Sequence, residues 1–134
     1  MTKRTFRHGI HPHNDGKALT ADAVIREFLP TGEAVYPLGQ HIGAPAQPVV
    51  AVGDPVLVGQ TLAQPNGFVS AAICSAVSGT VKAIEPRMTV SGKEQLSVVV
   101  ENDGQFTPLP TLGQSRDPAA MTGEEILAAI RDAG

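Results

Sequence analysis

The sequence predicts a mainly β fold, a compact sandwich or barrel. Three observations carry that expectation. From Glu33 to Asn102, short runs of Val, Ile, Leu and Thr are separated by Gly, Pro, Asn and Asp. Turn signals recur at the short spacing of an all-β domain. The 14 Gly and 11 Pro of the 134 residues follow no regular period, so they read as turns rather than collagen-like or linker sequence. With 42% apolar and 17% charged residues the balance is globular, and the length suits one domain with a modest core.

Taken in order, residues 1–32 form an N-terminal arm, polar at first and rich in His, Asn, Asp and Gly. Within it, Val24, Ile25, Phe28 and Leu29 fall on one helical face, Thr20 is placed to cap, and Pro30 stops a helix. A short helix and an extended arm laid along the domain both satisfy that pattern. Residues 33–104 are the β domain. "AVYPLG" is a strand candidate, "QPVVAVGDPVLVGQTLAQP" gives two short strands around a Gly53-Asp54 turn, and "GFVSAAICSA" is another strand. "GTVKAIEPRMTV" and "EQLSVVVEN" follow, joined through Ser91-Gly92-Lys93, and Asp103-Gly104 ends the last. Residues 105–121 are Pro-rich and aperiodic and read as a linker. Residues 122–134 predict a helix. Thr122 and Glu125 make a capping box, Ile126, Leu127 and Ile130 form an apolar face, and Gly134 suits the left-handed residue after a helix. An apolar helix face at the last residues needs something to pack on, so the sequence reads as one that stops early.

Composition excludes several functions. The net charge is −3, from 10 basic and 13 acidic residues, and no basic run exceeds Lys3-Arg4. Nucleic-acid binding needs clustered Lys and Arg, and four Phe, one Tyr and no Trp are too few for a stacking platform. Cys74 is alone, so it forms no internal disulfide and cannot hold an iron–sulfur cluster, which takes four ligands. That usage fits reducing, cytosolic conditions. The first residues carry positive charge without an apolar core behind it, so they do not read as a signal peptide, and no run of about 18 apolar residues spans a membrane.

The chemical motifs are weak. "SGKE" resembles the end of a phosphate loop, but Arg87 stands where that loop needs Gly and Glu94 where it needs Ser or Thr, so a hairpin turn is the reading. His8, His11, His13 and Asp15 have ligand chemistry, yet their spacing fits no zinc pattern and they sit near a terminus. His41 has no identifiable nucleophile or carboxylate partner and reads as structural. Cys74, in an apolar run, reads as a buried inert thiol. Asp54, Glu85, Glu94, Glu101 and Asp103 fall at turns or strand ends and read as solvated carboxylates.

Two resemblances organise these pieces. Gly53-Asp54, Gly59-Gln60 and Ser78-Gly79-Thr80-Val81 resemble the frame of biotinyl and lipoyl carrier domains. In lipoyl domains the acceptor lysine stands ten residues before the Ser of Ser-Gly, at the tip of an exposed hairpin. Here that position is Phe68, in Asn66-Gly67-Phe68-Val69, and Phe forms no amide to a cofactor. Lys82 lies past the second turn, out of place for that role. A second resemblance covers residues from about 9 to 134. Gly9-Ile10-His11-Pro12, Gln40-His41-Ile42-Gly43-Ala44-Pro45 and Gly67-Phe68-Val69-Ser70, in that order, are similar to the N-terminal part of RnfC, a peripheral subunit of ion-translocating ferredoxin:NAD oxidoreductase complexes. His13 departs from that pattern, which often has Pro there, and Ile73-Cys74-Ser75 stands where the family often has His-Ala-Ser.

The RnfC resemblance implies a barrel-sandwich hybrid fold of biotinyl/lipoyl type, with an extended N-terminal arm and a short C-terminal helix. It implies a non-catalytic structural or docking domain, a fragment of a larger chain that carries FMN, NADH and two 4Fe-4S clusters elsewhere. No catalytic, cofactor-binding or metal residue carries over onto this sequence. The partners it implies are the flavin/NADH domain of the same parent chain and the other subunits of a membrane-bound complex. The implied location is cytoplasmic, peripheral on the inner face of the cell membrane. Phe68 and His41 are the expected contact residues, with Phe68 either meeting a partner or folding back onto its own barrel. The alternatives are a biotinyl/lipoyl-type carrier, a free-standing binding module, or a small metal protein or enzyme using His8, His11, His13 and His41.

Overall fold

The computed structural model describes residues 16–134. His8, His11, His13, Asp15 and the Gly9-Ile10-His11-Pro12 segment lie outside the described residues. The described chain is mainly β. Strands β1 (Glu33–Pro37), β7 (Glu94–Asn102), β6 (Gly79–Met88) and β3 (Pro55–Val56) form one antiparallel sheet in that spatial order. Strands β2 (Gln47–Pro48), β4 (Thr61–Gln64) and β5 (Ile73–Cys74) form a smaller one. Helix α1 (Gly123–Ala133) follows.

The core gathers side chains from both sheets and the turns between them. Leu38, Ala46, Val56, Leu62, Ala63, Ile73, Val77, Val81, Val98 and Val100 pack together. Fully burying a side chain such as Leu62 or Val98 contributes about 1.5–3 kcal/mol relative to leaving it in water. Among the described residues, no buried side-chain nitrogen or oxygen lacks a hydrogen-bond partner.

The carrier-like turns are closed by their own side chains. The Ala51 N–H donates to Asp54 Oδ2 at 2.8 Å, and the Leu57 N–H donates to Gln60 Oε1 at 3.0 Å. Gly53 and Gly59 supply the left-handed backbone each turn needs (φ 95° and 84°). At the third turn, Ser78 is buried. Its hydroxyl donates to Asp103 Oδ1 at 2.7 Å and accepts the Thr107 N–H at 2.9 Å. Beside it, a Cβ on Gly79 would strike the backbone carbonyl of Glu101 (φ 153°), so this position admits only glycine.

Two local expectations change in the folded chain, and one open alternative is decided. Of the two readings of Thr20 to Pro30, the extended arm is the one found and the helix does not form. Thr20 instead ends a short 3-10 turn over Lys17–Leu19, and Val24, Ile25, Phe28 and Leu29 are exposed. The arm is tied down after them, where Asn102 Nδ2 donates to the Pro30 carbonyl at 2.7 Å. The stretch from Gln47 to Pro65 makes three short strands rather than two, because β4 pairs with β2 while β3 pairs with β6. From Gly67 to Ala76, only Ile73–Cys74 is strand. Residues 106–112 run along the barrel. Leu109 N–H and Val58 N–H bond across to the carbonyls of Val58 and Thr107, and Phe106 packs on the core.

Candidate functional site

The tip between β4 and β5 holds the residues singled out from the sequence. It spans residues 65–72 and is clamped by the loop of residues 39–46, which follows β1. The Ala44 N–H donates to the Val69 carbonyl at 3.0 Å. The Ser70 hydroxyl donates to the Ala44 carbonyl at 2.9 Å and accepts the Asn66 N–H at 3.0 Å. Gly43 (φ 94°) lies so close that a Cβ there would strike the Val69 carbonyl oxygen. The "QHIGAP" and "NGFVS" segments are therefore two halves of one structure, joined through backbone groups and one serine.

His41 supplies the last fastening. Its half-buried ring accepts the Ala71 N–H at Nε2 (3.2 Å) and meets the carbonyl of Ile42 at Nδ1 (2.9 Å). The Nδ1–H tautomer satisfies both bonds, so both nitrogens are engaged with backbone groups. The ring positions the loop.

With backbone and polar groups so engaged, the apolar side chains point out. Phe68 is fully exposed, Ile42 is 84% exposed and Val69 48%. Phe68 does not fold back onto its barrel. It occupies the tip position expected from the ten-residue count to Ser78. Lys82, the nearest downstream lysine, sits where β6 slips register against β7 between Val81 and Ala83. That bulge turns it outward to Glu33, with Nζ–Oε1 2.7 Å, and Arg87 joins Glu33 at 3.3 Å and Glu85 at 2.8 Å. The Lys82 hydrogen bond and charge hold the Glu33 carboxyl below its ordinary range. Lys82 is thus an ion-paired strand residue, not an acceptor on a tip.

The end of α1 lies against the same face. Cys74 Sγ stands 3.7 Å from the Asp132 carbonyl, and Gly134 lies against the Ala72 carbonyl. Ala133 and Gly134 line a cleft with His41, Ala71 and Cys74, and Arg131 lines a neighbouring one with Gly67 and Phe68. Cys74 is half-buried beneath the helix end rather than sealed in the core. Among the described residues, no group of three His, Cys, Asp or Glu is placed to hold a metal ion, and no helix is long and apolar enough to cross a membrane.

The sequence singled out Phe68 and His41 separately; the fold brings them to one face. It missed Ser70, whose hydroxyl fastens the tip to the loop, and Asn102, which fastens the arm. A Ser two residues past an exposed Phe carries no periodic signal. Asp103, read as a solvated carboxylate, accepts the Gln105 N–H at 2.8 Å and the Ser78 hydroxyl, and these bonds lower its pKa.

Comparisons with known proteins agree with this architecture. A family described as the RnfC barrel sandwich hybrid domain matches residues 4–105. In Acetobacterium woodii, the C subunit of the Na(+)-translocating ferredoxin:NAD(+) oxidoreductase complex is 38% identical over 130 residues, covering 97% of this chain and 29% of that protein. The proton-translocating counterpart of Clostridium ljungdahlii is 38% identical over 98% of this chain and 28% of its own length. In Pseudomonas aeruginosa, the C subunit of the ion-translocating oxidoreductase complex is 39% identical over 93% of this chain and 17% of its own length. The chain thus spans less than a third of the curated relatives it matches. With that match over most of its length, the chain belongs to the RnfC barrel sandwich hybrid domain family.

Proposed function

We propose that this chain is a non-catalytic structural and docking domain of an RnfC-type subunit in a ferredoxin:NAD oxidoreductase complex. One observation carries the proposal: the tip where a carrier domain presents its lysine is fastened by hydrogen bonds to the 39–46 loop, and it presents Phe68 fully exposed. An aromatic ring on a fixed backbone costs little ordering entropy when it enters a pocket, which is what a contact anchor requires. A carrier needs a lysine there, and Phe68 and the ion-paired Lys82 both speak against that alternative. Under this reading, the FMN and the two 4Fe-4S clusters belong to other parts of the parent chain. The partners are its flavin/NADH domain and the other subunits of the complex. The whole protein sits on the cytoplasmic face of the membrane through those partners, with His41 holding the contact loop in place.

The test is Phe68→Ala in the full-length subunit expressed with its complex. The expected outcome is a weakened association of the domain, read as loss of the subunit during purification of the complex or as early proteolysis within the subunit. Unchanged assembly and unchanged proteolysis together would falsify the contact role.

A further inference from the structure

Independently of the docking reading, we propose that Asn66 is a self-modification site: the backbone nitrogen of Gly67 displaces its side-chain amide, leaving aspartate or isoaspartate at the tip. Asparagine is among the thermolabile residues. In this reaction the Gly67 nitrogen attacks the Asn66 side-chain carbonyl carbon, and the new C–N bond closes a cyclic imide. The side-chain nitrogen leaves as ammonia, taking the proton that the Gly67 nitrogen gives up. Water then opens the imide at either of its carbonyls. Neither an oxidant nor a metal is required. Glycine hinders the attack least, because it has no Cβ and its backbone reaches angles that other residues avoid. Gly67 has φ 148°, and a Cβ there would press to 3.3 Å from the Ala44 Cβ, so the residue that favours the reaction is also the one the tip backbone requires.

The fold leaves both reacting groups uncommitted. Asn66 and Gly67 are exposed. The Asn66 N–H donates to the Ser70 hydroxyl at 3.0 Å, which anchors the residue. Among the described residues, nothing bonds the Asn66 side-chain amide or the Gly67 N–H. Asn102 is the contrast within the same domain. It is half-buried at the end of β7, where its Nδ2 donates to the Pro30 carbonyl at 2.7 Å and its Oδ1 accepts the Gly104 N–H at 2.8 Å. The nitrogen that would attack it, that of Asp103, donates to the Ser78 carbonyl at 3.0 Å. Each of those bonds must break before Asn102 reacts, and no such bond protects Asn66.

The modification acts on the tip in two ways. Either product places a new negative charge two residues before Phe68. Isoaspartate also routes the main chain through the side-chain carbon, which lengthens it by one methylene. That extra length falls between the anchored Asn66 N–H and the Val69 carbonyl held by the Ala44 N–H. Because both ends of the stretch are fastened, the added atom shifts Phe68 or breaks one of the two bonds.

The experiment incubates the folded full-length subunit in heavy-oxygen water at mildly alkaline pH, with a second portion unfolded in urea. Water that opens the imide leaves its oxygen in the new carboxylate, so the label separates conversion during incubation from conversion during digestion. Peptide mass spectrometry reads the labelled fraction at positions 66 and 102. The expected result in the folded protein is label at position 66 accumulating many-fold faster than at position 102, and faster as the pH rises, because the Gly67 nitrogen attacks without its proton. Asn66→Gln is expected to remove the label from that peptide, since the longer side chain closes its ring far more slowly. Label at position 66 no faster than at position 102 in the folded protein overturns the proposal; if position 66 still reacts in urea, the fastened tip is what holds the two groups apart. Label that persists in Asn66→Gln belongs to another residue and overturns it as well.

Discussion

Asp103 shows how a single carboxylate closes a turn. It accepts the backbone N–H of Gln105 and the hydroxyl of buried Ser78, and these bonds hold its pKa below the ordinary 3.8. A carboxyl whose folded pKa lies below its unfolded value adds stability that is complete above the unfolded pKa. That stability disappears as the pH falls through the folded value. For Asp103→Asn, the stability gap from wild type is expected to be widest near neutral pH and to narrow as the pH is taken below about 4. Urea unfolding of both proteins over that range checks it; a gap independent of pH would mean that the charge plays no part. Glu33 and Glu125 also titrate low but are present in both proteins, so they cancel in the difference.

Helix α1 and the tip show what sets the limits of elements. The capping box of α1 is complete: the Thr122 hydroxyl oxygen accepts the Glu125 N–H at 3.3 Å, and Glu125 Oε2 accepts the Thr122 N–H at 2.7 Å. Thr122→Ala is expected to cost the helix about 0.5–2 kcal/mol. Because no residue of α1 is fully buried, that cost stays mostly local. The far-UV helical signal should fall while the urea midpoint of the β domain does not move, and a shifted midpoint would show that α1 is coupled to the core. At the tip, the strand foreseen from Gly67 to Ala76 shrinks to Ile73–Cys74. The Val69 carbonyl is taken by Ala44 and the Ala71 N–H by His41. Backbone groups engaged by a loop are not available to a neighbouring strand.

At the scale of the molecule, a small core supports a rigid outer tip. Leu62 is fully buried at the centre of β4, whose outer end leads into the tip. Leu62→Ala is expected to lower the unfolding free energy by about 2–5 kcal/mol, through lost burial and the cavity left behind. Urea denaturation measures it; a loss under about 1 kcal/mol, on the order of a surface change, would mean that the two sheets do not share this core. Phe68 touches none of that core, so the docking role proposed for it separates cleanly from stability.

The turns were legible before folding because each is a local chemical event. Gly53-Asp54, Gly59-Gln60 and the Thr122–Glu125 box each place a special backbone angle or a capping side chain within a few residues of its partner. The pattern of Val24 to Leu29 left a helix and an extended arm both open for the same reason: periodicity permits a helix, and without a surface to cover, the extended form is the one taken. Other features wait on the fold. The bond from Ala71 to His41 joins residues 30 apart, and that between Asn102 and Pro30 joins residues 72 apart. Such contacts depend on strand register and on which loop meets which, and no local period encodes them. For this reason the sequence could mark Phe68 as a residue without a carrier's chemistry, while only the packed chain could hold it out, rigid, beside the end of α1.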